Sequence, residues 1–413
     1  MSSRISTGVA SAARLPSLDG LRAISIALVI VSHVAALHLV PGLDKSWRID
    51  PGNLGVRTFF VISGFLITSL LLEERRTSGT ISLPRFYLRR TFRIMPAFFV
   101  FLLAMGLAAA LGWQTLSGRS LLHAATYTSN YYAADWPVGH SWSLSVEEQF
   151  YLLWPGVLLL ALLRGGERGA FRAAAAMLLV SPLLRLFAAV SGHWPDNPRY
   201  AFETVADALA VGCLLARYRN TLWTWAPSRR LLVSYAAGWW PVAVLVLAAM
   251  NVRWPIFGAA LGISLLNVAI AFGVERSVSL PEAGVGRLLN ARLLGLVGTW
   301  SYSLYLWQQP FLAEHASLAL PVRVAALLTC AVASYYLVER PTLRLRSQLE
   351  RRWFARPRLT VRRVDTEVSL LATLTAADVA TVRPTVAPPS SVAPSALLYT
   401  DQHPPETAKT DLT

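Results

Sequence analysis

Long apolar runs alternate with short, arginine-bearing segments along most of this chain. The run 231–250, for example, holds no residue that is charged at neutral pH. A helix that spans a bilayer needs about 20 mostly apolar residues, and hydrocarbon offers no partners to unpaired backbone groups. The pattern therefore predicts an all-α fold, a polytopic membrane helix bundle with about ten transmembrane helices. They are predicted at 21–40, 54–72, 94–112, 143–163, 173–190, 204–216, 231–250, 254–273, 293–312 and 322–339.

Arginine is distributed unevenly between the two sides of these predicted spans. If the N-terminus is inside, the cytoplasmic segments hold 28 of the 38 basic residues of the chain. These segments are 1–22, 73–93, 164–172, 217–230, 275–292 and 340–363. Cytoplasmic loops of membrane proteins carry an excess of Lys and Arg, and an even number of spans returns the chain to its starting side. We therefore predict that both termini are cytoplasmic.

Composition excludes several classes of protein and suggests the domain boundaries. With 54% hydrophobic and only 15% charged residues, the chain does not fit a soluble enzyme or a disordered protein. The net charge of +15 does not indicate nucleic-acid binding, because the basic residues are spaced between apolar runs. We predict a cytoplasmic N-terminal segment at 1–20 and a transmembrane domain at 21–345. Residues 346–413 are predicted to form a basic, then Pro-, Ala- and Thr-rich cytoplasmic tail that is mostly disordered.

Two ionisable residues lie within the first predicted span. Arg22 and His33 are eleven residues apart, close to three helical turns, so they share a helix face about 16 Å apart. Ionisable residues inside a membrane mark a functional site by default. An imidazole, with an ordinary pKa of about 6.5, can remove a proton from a hydroxyl group at neutral pH. The alternatives are an arginine that reaches toward the cytoplasmic surface and a hydrogen-bonded packing histidine.

A second cluster, at 89–93, lies at the cytoplasmic mouth of the third span. Arg90 and Arg93 are three residues apart and share a helix face, and Arg89 lies beside them. Two guanidinium groups on one face suit the binding of phosphate. The alternative is a plain basic anchor that only sets the orientation of the helix.

A third polar stretch, at 140–151, opens the fourth span from the outer side. In a structural interpretation, Ser143 caps the helix and Glu147 and Glu148 lie in its first turns, where the helix dipole favours carboxylates. In a functional interpretation, Glu147 enters the cavity and orients or charges the imidazole of His33. Since the two glutamates are adjacent, only one of them is expected to face the cavity.

Two weaker signals lie in other spans. Ser63 and Gly64 form a small pair in the second span, where small residues permit close helix contact. Asp207 in the sixth span needs a partner, which Arg199 or Arg185 could supply. No spacing of His, Asp and Glu resembles a metal site, and the two cysteines lie in apolar runs.

Taken in order, these residues resemble the acyltransferase 3 family of bacterial integral-membrane O-acyltransferases over about residues 15–345. The matching motifs are Leu15–Ala23 with His33, Phe59–Phe65, Arg90 with Arg93, Trp142–Leu144 with Glu147, Tyr302–Trp307, and Glu339–Pro341. The chain departs from the family at Gln308, where a histidine is common, and at Val205, where many members carry arginine. Both departures bear on the acceptor more than on the chemistry.

The resemblance implies transfer of an acyl group, commonly acetyl from acetyl-CoA, to a hydroxyl group of a carbohydrate or glycoconjugate. It implies a multi-pass protein of the bacterial inner (cytoplasmic) membrane, in contact with the lipid bilayer, with acyl-CoA bound at the cytoplasmic face and no metal. The candidates are His33, Glu147 and Arg22 for catalysis, Arg90, Arg93 and Arg89 for acyl-CoA binding, and Ser63, Trp142 and Tyr305 for substrate binding.

Two alternatives remain open at this point. Transfer could be direct, with His33 as the general base, or could pass through an acyl-His33 intermediate. A polytopic transporter or exporter of a polysaccharide or lipid-linked sugar would also have many spans with polar residues at mid-membrane. We find no half-chain repeat of the kind that many transporters show.

Overall fold

The computed structural model describes residues 16–36, 49–191, 200–234, 238–313 and 318–354, and every regular element in these ranges is helical. Short turns of other helix types lie at Ser129–Tyr131 (3₁₀) and at Gly258–Gly262 and Tyr335–Glu339 (π). The α-helices are α1 Pro16–Ala36, α2 Pro51–Ser78, α3 Leu83–Ala110, α4 Gly118–Ala125, α5 Trp136–Gly139, α6 Ser141–Leu163, α7 Arg168–Ser191, α8 Phe202–Thr224, α9 Ala226–Val233, α10 Trp240–Arg253, α11 Pro255–Phe257, α12 Ile263–Ser279, α13 Val285–Leu289, α14 Arg292–Phe311, α15 Leu320–Ser334 and α16 Arg340–Phe354.

The all-helical prediction is confirmed for the described residues, and each of the ten predicted spans falls on at least one helix. By length and apolar composition, seven helical segments in the described ranges could cross a membrane. They are Ser17–Ala36, Pro51–Ser78, Leu83–Ala110, Trp136–Leu163, Arg168–Ser191, Pro255–Ser279 and Leu320–Phe354. The central helices α8 and α14 are not among the seven, because both carry several polar residues.

Helices α2 and α8 make one of the closest contacts in the bundle. A Cβ atom on Gly64 would collide with the backbone carbonyl of Leu209, and one on Gly212 would collide with the carbonyl of Val61. Glycine at these two positions lets the backbones touch, which is how small residues act at helix interfaces in membranes. The prediction of close packing at the small pair of the second span is therefore confirmed for its glycine.

Helices α1 and α14 pack side by side in the same direction. A Cβ atom on Gly298 would meet the backbone of Asp19 near the start of α1, whereas Gln308 contacts His33 near its end. The two helices are therefore parallel, and successive turns of α1 face successive turns of α14. This register brings the predicted polar face of α1 against a polar face of α14.

The outer surfaces of the bundle are apolar. On α7, for example, Leu179, Leu183, Phe187 and Val190 are each at least 60% exposed. A soluble protein rarely leaves so large a contiguous apolar patch in contact with water. These faces fit contact with lipid, in agreement with a multi-pass membrane protein.

A buried ionic cluster joins four helices around Asp207 of α8. Its carboxylate accepts hydrogen bonds from Arg185 (2.9 Å) and Ser264 (2.6 Å), and Arg57 lies 3.8 Å away. The side chain of Asp207 is fully buried, and the two arginines are less than 10% exposed. The prediction that Arg185 partners this acid is confirmed, whereas Arg199, the other candidate, lies outside the described residues.

Helix α16 continues from α15 through the π turn and runs across residue 345, where we placed the end of the transmembrane domain. It packs along α3. Residues 346–354, which we assigned to the tail, are helical. The remainder of the predicted disordered tail lies outside the described residues.

Candidate active site

A cavity of about 100 Å³ lies among α1, α2, α3, α6 and α14. It has room for several water molecules or a small acyl group. Six of the nine residues predicted for the site line it, and they come from all five helices: Arg22, Ser63, Arg90, Arg93, Glu147 and Tyr305. The structure therefore brings together residues that are separated by more than 280 positions in the sequence.

The carboxylate of Glu147 is held by two hydroxyl groups. Ser63 donates a hydrogen bond of 2.5 Å to Glu147 Oε1, and the hydroxyl of Tyr151 donates to Ser63 Oγ over 3.0 Å. Arg22 and Arg90 both attract the carboxylate. Glu147 enters the cavity, as expected, but it is hydrogen-bonded to Ser63 and not to His33, which bonds with Gln308. That it orients or charges the imidazole of His33 stays a prediction.

Three arginines contribute positive charge to the cavity wall. Arg22 Nε donates to Ser301 Oγ over 3.2 Å. The guanidinium of Arg90 lies over the ring of Tyr151, 5.1 Å from its centroid, a cation–π contact that fixes its position. Arg93 lies 3.7 Å from the buried carboxylate of Glu339. Arg90 and Arg93, which share a helix face as their spacing predicts, therefore both line the cavity.

Arg89 does not line the cavity. Its guanidinium pairs with the carboxylate of Glu350 on α16, which also accepts from Arg85 over 2.7 Å. Arg89 therefore lies at the seam between α3 and α16 and not in the cavity wall. Its role in acyl-CoA binding stays a prediction.

His33 lies farther along α1, beyond the cavity wall. Its Nδ1 is 2.5 Å from Gln308 Oε1, and its ring meets that of Trp136 edge-on at 5.4 Å. With the amide oxygen facing the ring, Nδ1 carries the proton and Nε2 keeps the basic lone pair; this tautomer is assigned from the hydrogen-bond geometry. Gln308, the residue that departs from the family pattern, is therefore the direct partner of the predicted base.

A second buried histidine, His140, was missed by sequence reasoning. Gln309 Oε1 accepts hydrogen bonds of 2.8 Å from both its backbone N–H and its Nδ1, and Tyr305 donates to its carbonyl oxygen over 3.0 Å. Within the described ranges, its Nε2 is buried and has no hydrogen-bond partner. The two imidazoles of His33 and His140 are close enough to interact electrostatically. A histidine two residues before Trp142, in the polar stretch at 140–151, was the available signal.

Ser143 does not cap α6. The helix begins at Ser141, with His140 in the cap position and no side-chain cap, so Ser143 lies inside the first turn. There its hydroxyl is 2.5 Å from that of Tyr305. The prediction of a Ser143 cap is wrong because the cap position is occupied by His140, three residues earlier.

A polar stripe on α14 links the cavity to His33. Ser301, Tyr305 and Gln308 occupy positions i, i+4 and i+7, which lie on one helix face. Ser301 accepts a hydrogen bond from Arg22 and Gln308 bonds with His33, both on α1, whereas Tyr305 bonds to Ser143 and His140. Hydrogen-bonded polar residues therefore recur over about 16 Å along the interface of α1 and α14, a stretch that we call the polar track.

Trp142 does not line the cavity, although it contacts Phe60, which does. Its indole stacks on the ring of Tyr200 at 4.1 Å and meets Phe60 edge-on at 6.0 Å. Its predicted contact with substrate stays a prediction. No group of three or more potential metal ligands occurs in the described part of the chain.

Comparison with known proteins identifies relatives. Residues 15–337 match the family described as acyltransferase domain, Acyl_transf_3. O-acetyltransferase OatA of Staphylococcus aureus is 32% identical over 365 residues, which cover 79% of this chain and 57% of OatA. A Bacillus subtilis protein provisionally named peptidoglycan O-acetyltransferase YrhL is 28% identical over 365 residues, 79% of this chain and 54% of that protein.

This chain spans about half the length of the curated relatives that it matches. No solved structure matches it. The family match covers well over half of the chain and contains every motif residue that lines the cavity. The family inferred from the sequence motifs is therefore confirmed, and the chain belongs to the acyltransferase 3 family.

Proposed function

We propose that this protein is an O-acyltransferase that moves an acyl group, acetyl in the first instance, from acyl-CoA to a hydroxyl group of a carbohydrate or glycoconjugate. The observation that carries the proposal is the polar track between Arg22 and His33 inside an apolar bundle. The track has arginines at one end and a histidine at the other. The names of OatA and YrhL point to an O-acetyltransferase, and that of YrhL to peptidoglycan.

The topology that we propose follows the distribution of arginine. About ten helices cross the bacterial inner membrane, both termini are cytoplasmic, and the arginine end of the track opens to the cytoplasm. This arrangement allows a cytoplasmic thioester to enter at Arg90 and Arg93, where guanidinium groups suit its phosphates. The acceptor would then meet the thioester near His33.

In the proposed chemistry, the acyl-CoA arm extends past Arg22 and its thioester reaches the level of His33. His33 Nε2 takes the proton of the acceptor hydroxyl while Gln308 holds Nδ1–H. The hydroxyl oxygen attacks the thioester carbonyl, so that a C–O bond forms and the C–S bond breaks. The proton passes from the imidazole to the leaving CoA thiolate. Arg22 steadies the donor, and Glu147 holds the guanidinium groups of Arg22 and Arg90 in place.

The test is acyl transfer by the purified full-length chain in liposomes, with labelled acetyl-CoA and soluble peptidoglycan fragments or other oligosaccharides as acceptors. We expect a labelled ester that forms only with donor and acceptor together. Movement of the oligosaccharide across the membrane without ester formation would instead establish the transporter alternative.

A matched pair of variants ties the activity to the cavity. Glu147 and Glu203 each accept a hydrogen bond from a hydroxyl group, from Ser63 and Tyr131 respectively, but only Glu147 lies in the cavity. A hydrogen bond to a charged group is worth about 1.5–3 kcal/mol, so Glu147→Gln should lower turnover about tenfold or more. Glu203→Gln should keep wild-type turnover. Equal turnover of both variants would remove Glu147 from the mechanism.

A further inference from the structure

The seam between α3 and α16 carries more positive than negative charge. On α3, Arg85, Arg89 and Arg93 are spaced four residues apart and share one face. Opposite them, Glu339, Arg346 and Glu350 are spaced seven and four residues apart and also share one face. Four guanidinium groups thus face two carboxylates in the seam.

The two carboxylates of the seam already interact with arginines of α3. Glu350 pairs with Arg85 and Arg89, and Glu339 lies 3.7 Å from Arg93 while it accepts a hydrogen bond from Ser303. The arginines of these pairs remain about 27–37% exposed, so a ligand can reach them.

Among the described residues, Arg346 is the arginine of the seam that forms no ion pair, because Glu350 pairs with Arg85 and Arg89. It lies within electrostatic range of Glu350, Arg89 and Arg93, and its Nε is buried without a hydrogen-bond partner in the described part of the chain. A buried polar group without a partner costs free energy that a bound ligand can recover. Because Arg89 and Arg93 are also close to Arg346, we expect that ligand to be an anion.

We propose that Arg346, together with Arg89 and Arg93, forms a phosphate subsite that receives the phosphorylated end of acyl-CoA. This subsite rests on the proposed function and extends it to α16, which begins after residue 337, where the family match ends. Arg93 belongs to both the seam and the cavity wall, so the subsite is continuous with the path that the acyl arm takes. When no acyl-CoA is bound, Glu350 pairs with Arg89, and it competes with the phosphate for this guanidinium group.

Binding of acetyl-CoA to the full chain in nanodiscs of zwitterionic lipid tests the subsite. A bidentate contact between arginine and phosphate is among the strong hydrogen-bonded pairs, so Arg346→Gln should weaken binding about tenfold or more. Arg344→Gln is the matched control, since Arg344 is exposed on the same helix and should bind acetyl-CoA like wild type. Glu350→Gln should bind acetyl-CoA more tightly than wild type, because it frees Arg89.

The opposite changes in acetyl-CoA affinity expected for Arg346→Gln and Glu350→Gln distinguish a ligand site from a purely structural seam. If α16 only packs against α3, Arg346→Gln and Glu350→Gln should weaken binding together, and that result would overturn the subsite. Unchanged affinity of Arg346→Gln for acetyl-CoA would also overturn the subsite. If that variant at the same time lost the phosphatidylglycerol that the wild-type protein retains in native mass spectrometry, the anion would be a lipid headgroup. Failure of the wild-type protein to bind acetyl-CoA would instead refute the proposed donor.

Discussion

The hydrogen bond between His33 and Gln308 allows a quantitative test of the proposed base. His33→Gln exchanges the imidazole for an amide that can still bond with the amide of Gln308, so the local packing is kept. If His33 only packs, the variant loses at most one neutral hydrogen bond, worth about 0.5–1.5 kcal/mol, or about 2- to 13-fold in rate. If His33 is the general base, the loss should be about 10²- to 10⁴-fold, because an amide cannot accept a proton at neutral pH.

The assay is turnover of acetyl-CoA in liposomes, measured beside equilibrium binding of acetyl-CoA by the same preparations. We expect His33→Gln to insert and to bind acetyl-CoA like wild type while its turnover falls at least about a hundredfold. His123→Gln is the control, since His123 also bonds through Nδ1, to Thr128 at 2.9 Å, but lies on α4 away from the track. A loss in His33→Gln of tenfold or less would refute the general-base assignment, and a loss of acetyl-CoA binding would make His33 a donor ligand.

Three further predictions concern the donor site, the ionic cluster and the topology. Arg93→Ala should raise the acetyl-CoA concentration needed for half-maximal turnover about tenfold; Arg75→Ala, which removes another arginine paired with one glutamate, should do much less, and equal effects would indicate a diffuse basic anchor. Asp207→Asn leaves two buried arginines without a counter-charge and should destabilise the protein by about 3–5 kcal/mol, seen as a lower thermal midpoint in detergent; an unchanged midpoint would refute the structural role. Reporter fusions after Leu122 and Pro405 should be external and cytoplasmic respectively, and a reporter outside the cytoplasm at the second would break the ten-span topology.

The helices of this protein were predictable because lipid imposes a strong pattern on sequence. Runs of about 20 apolar residues marked most of them, and the paired motifs of α1, α3 and α6 indicated which faces meet. The structure then placed Arg22, Arg90 and Glu147 around one cavity, although no periodicity within a single helix determines how three helices pack together.

The partners of His33 and Arg89 could not be read from the sequence. His33 bonds to Gln308, which lies 275 positions away, and Arg89 bonds to Glu350, 261 positions away. Spacing indicates that Arg89 and Arg90 point in different directions from α3, since adjacent residues differ by about 100° around a helix. It does not indicate that α16 covers one of these directions, because that depends on the turn that joins α15 to α16.

The ionic cluster around Asp207 constrains how the chain enters the membrane during synthesis. Helix α8 carries a fully buried carboxylate, which is costly without a counter-charge, and its partner Arg185 lies on the preceding helix, α7. Arg185 gains this counter-charge once Asp207 has been synthesised, whereas Arg57 on α2, the other arginine of the cluster, is made earlier. In the proposed ten-span topology, we therefore expect α7 and α8 to insert together as a hairpin.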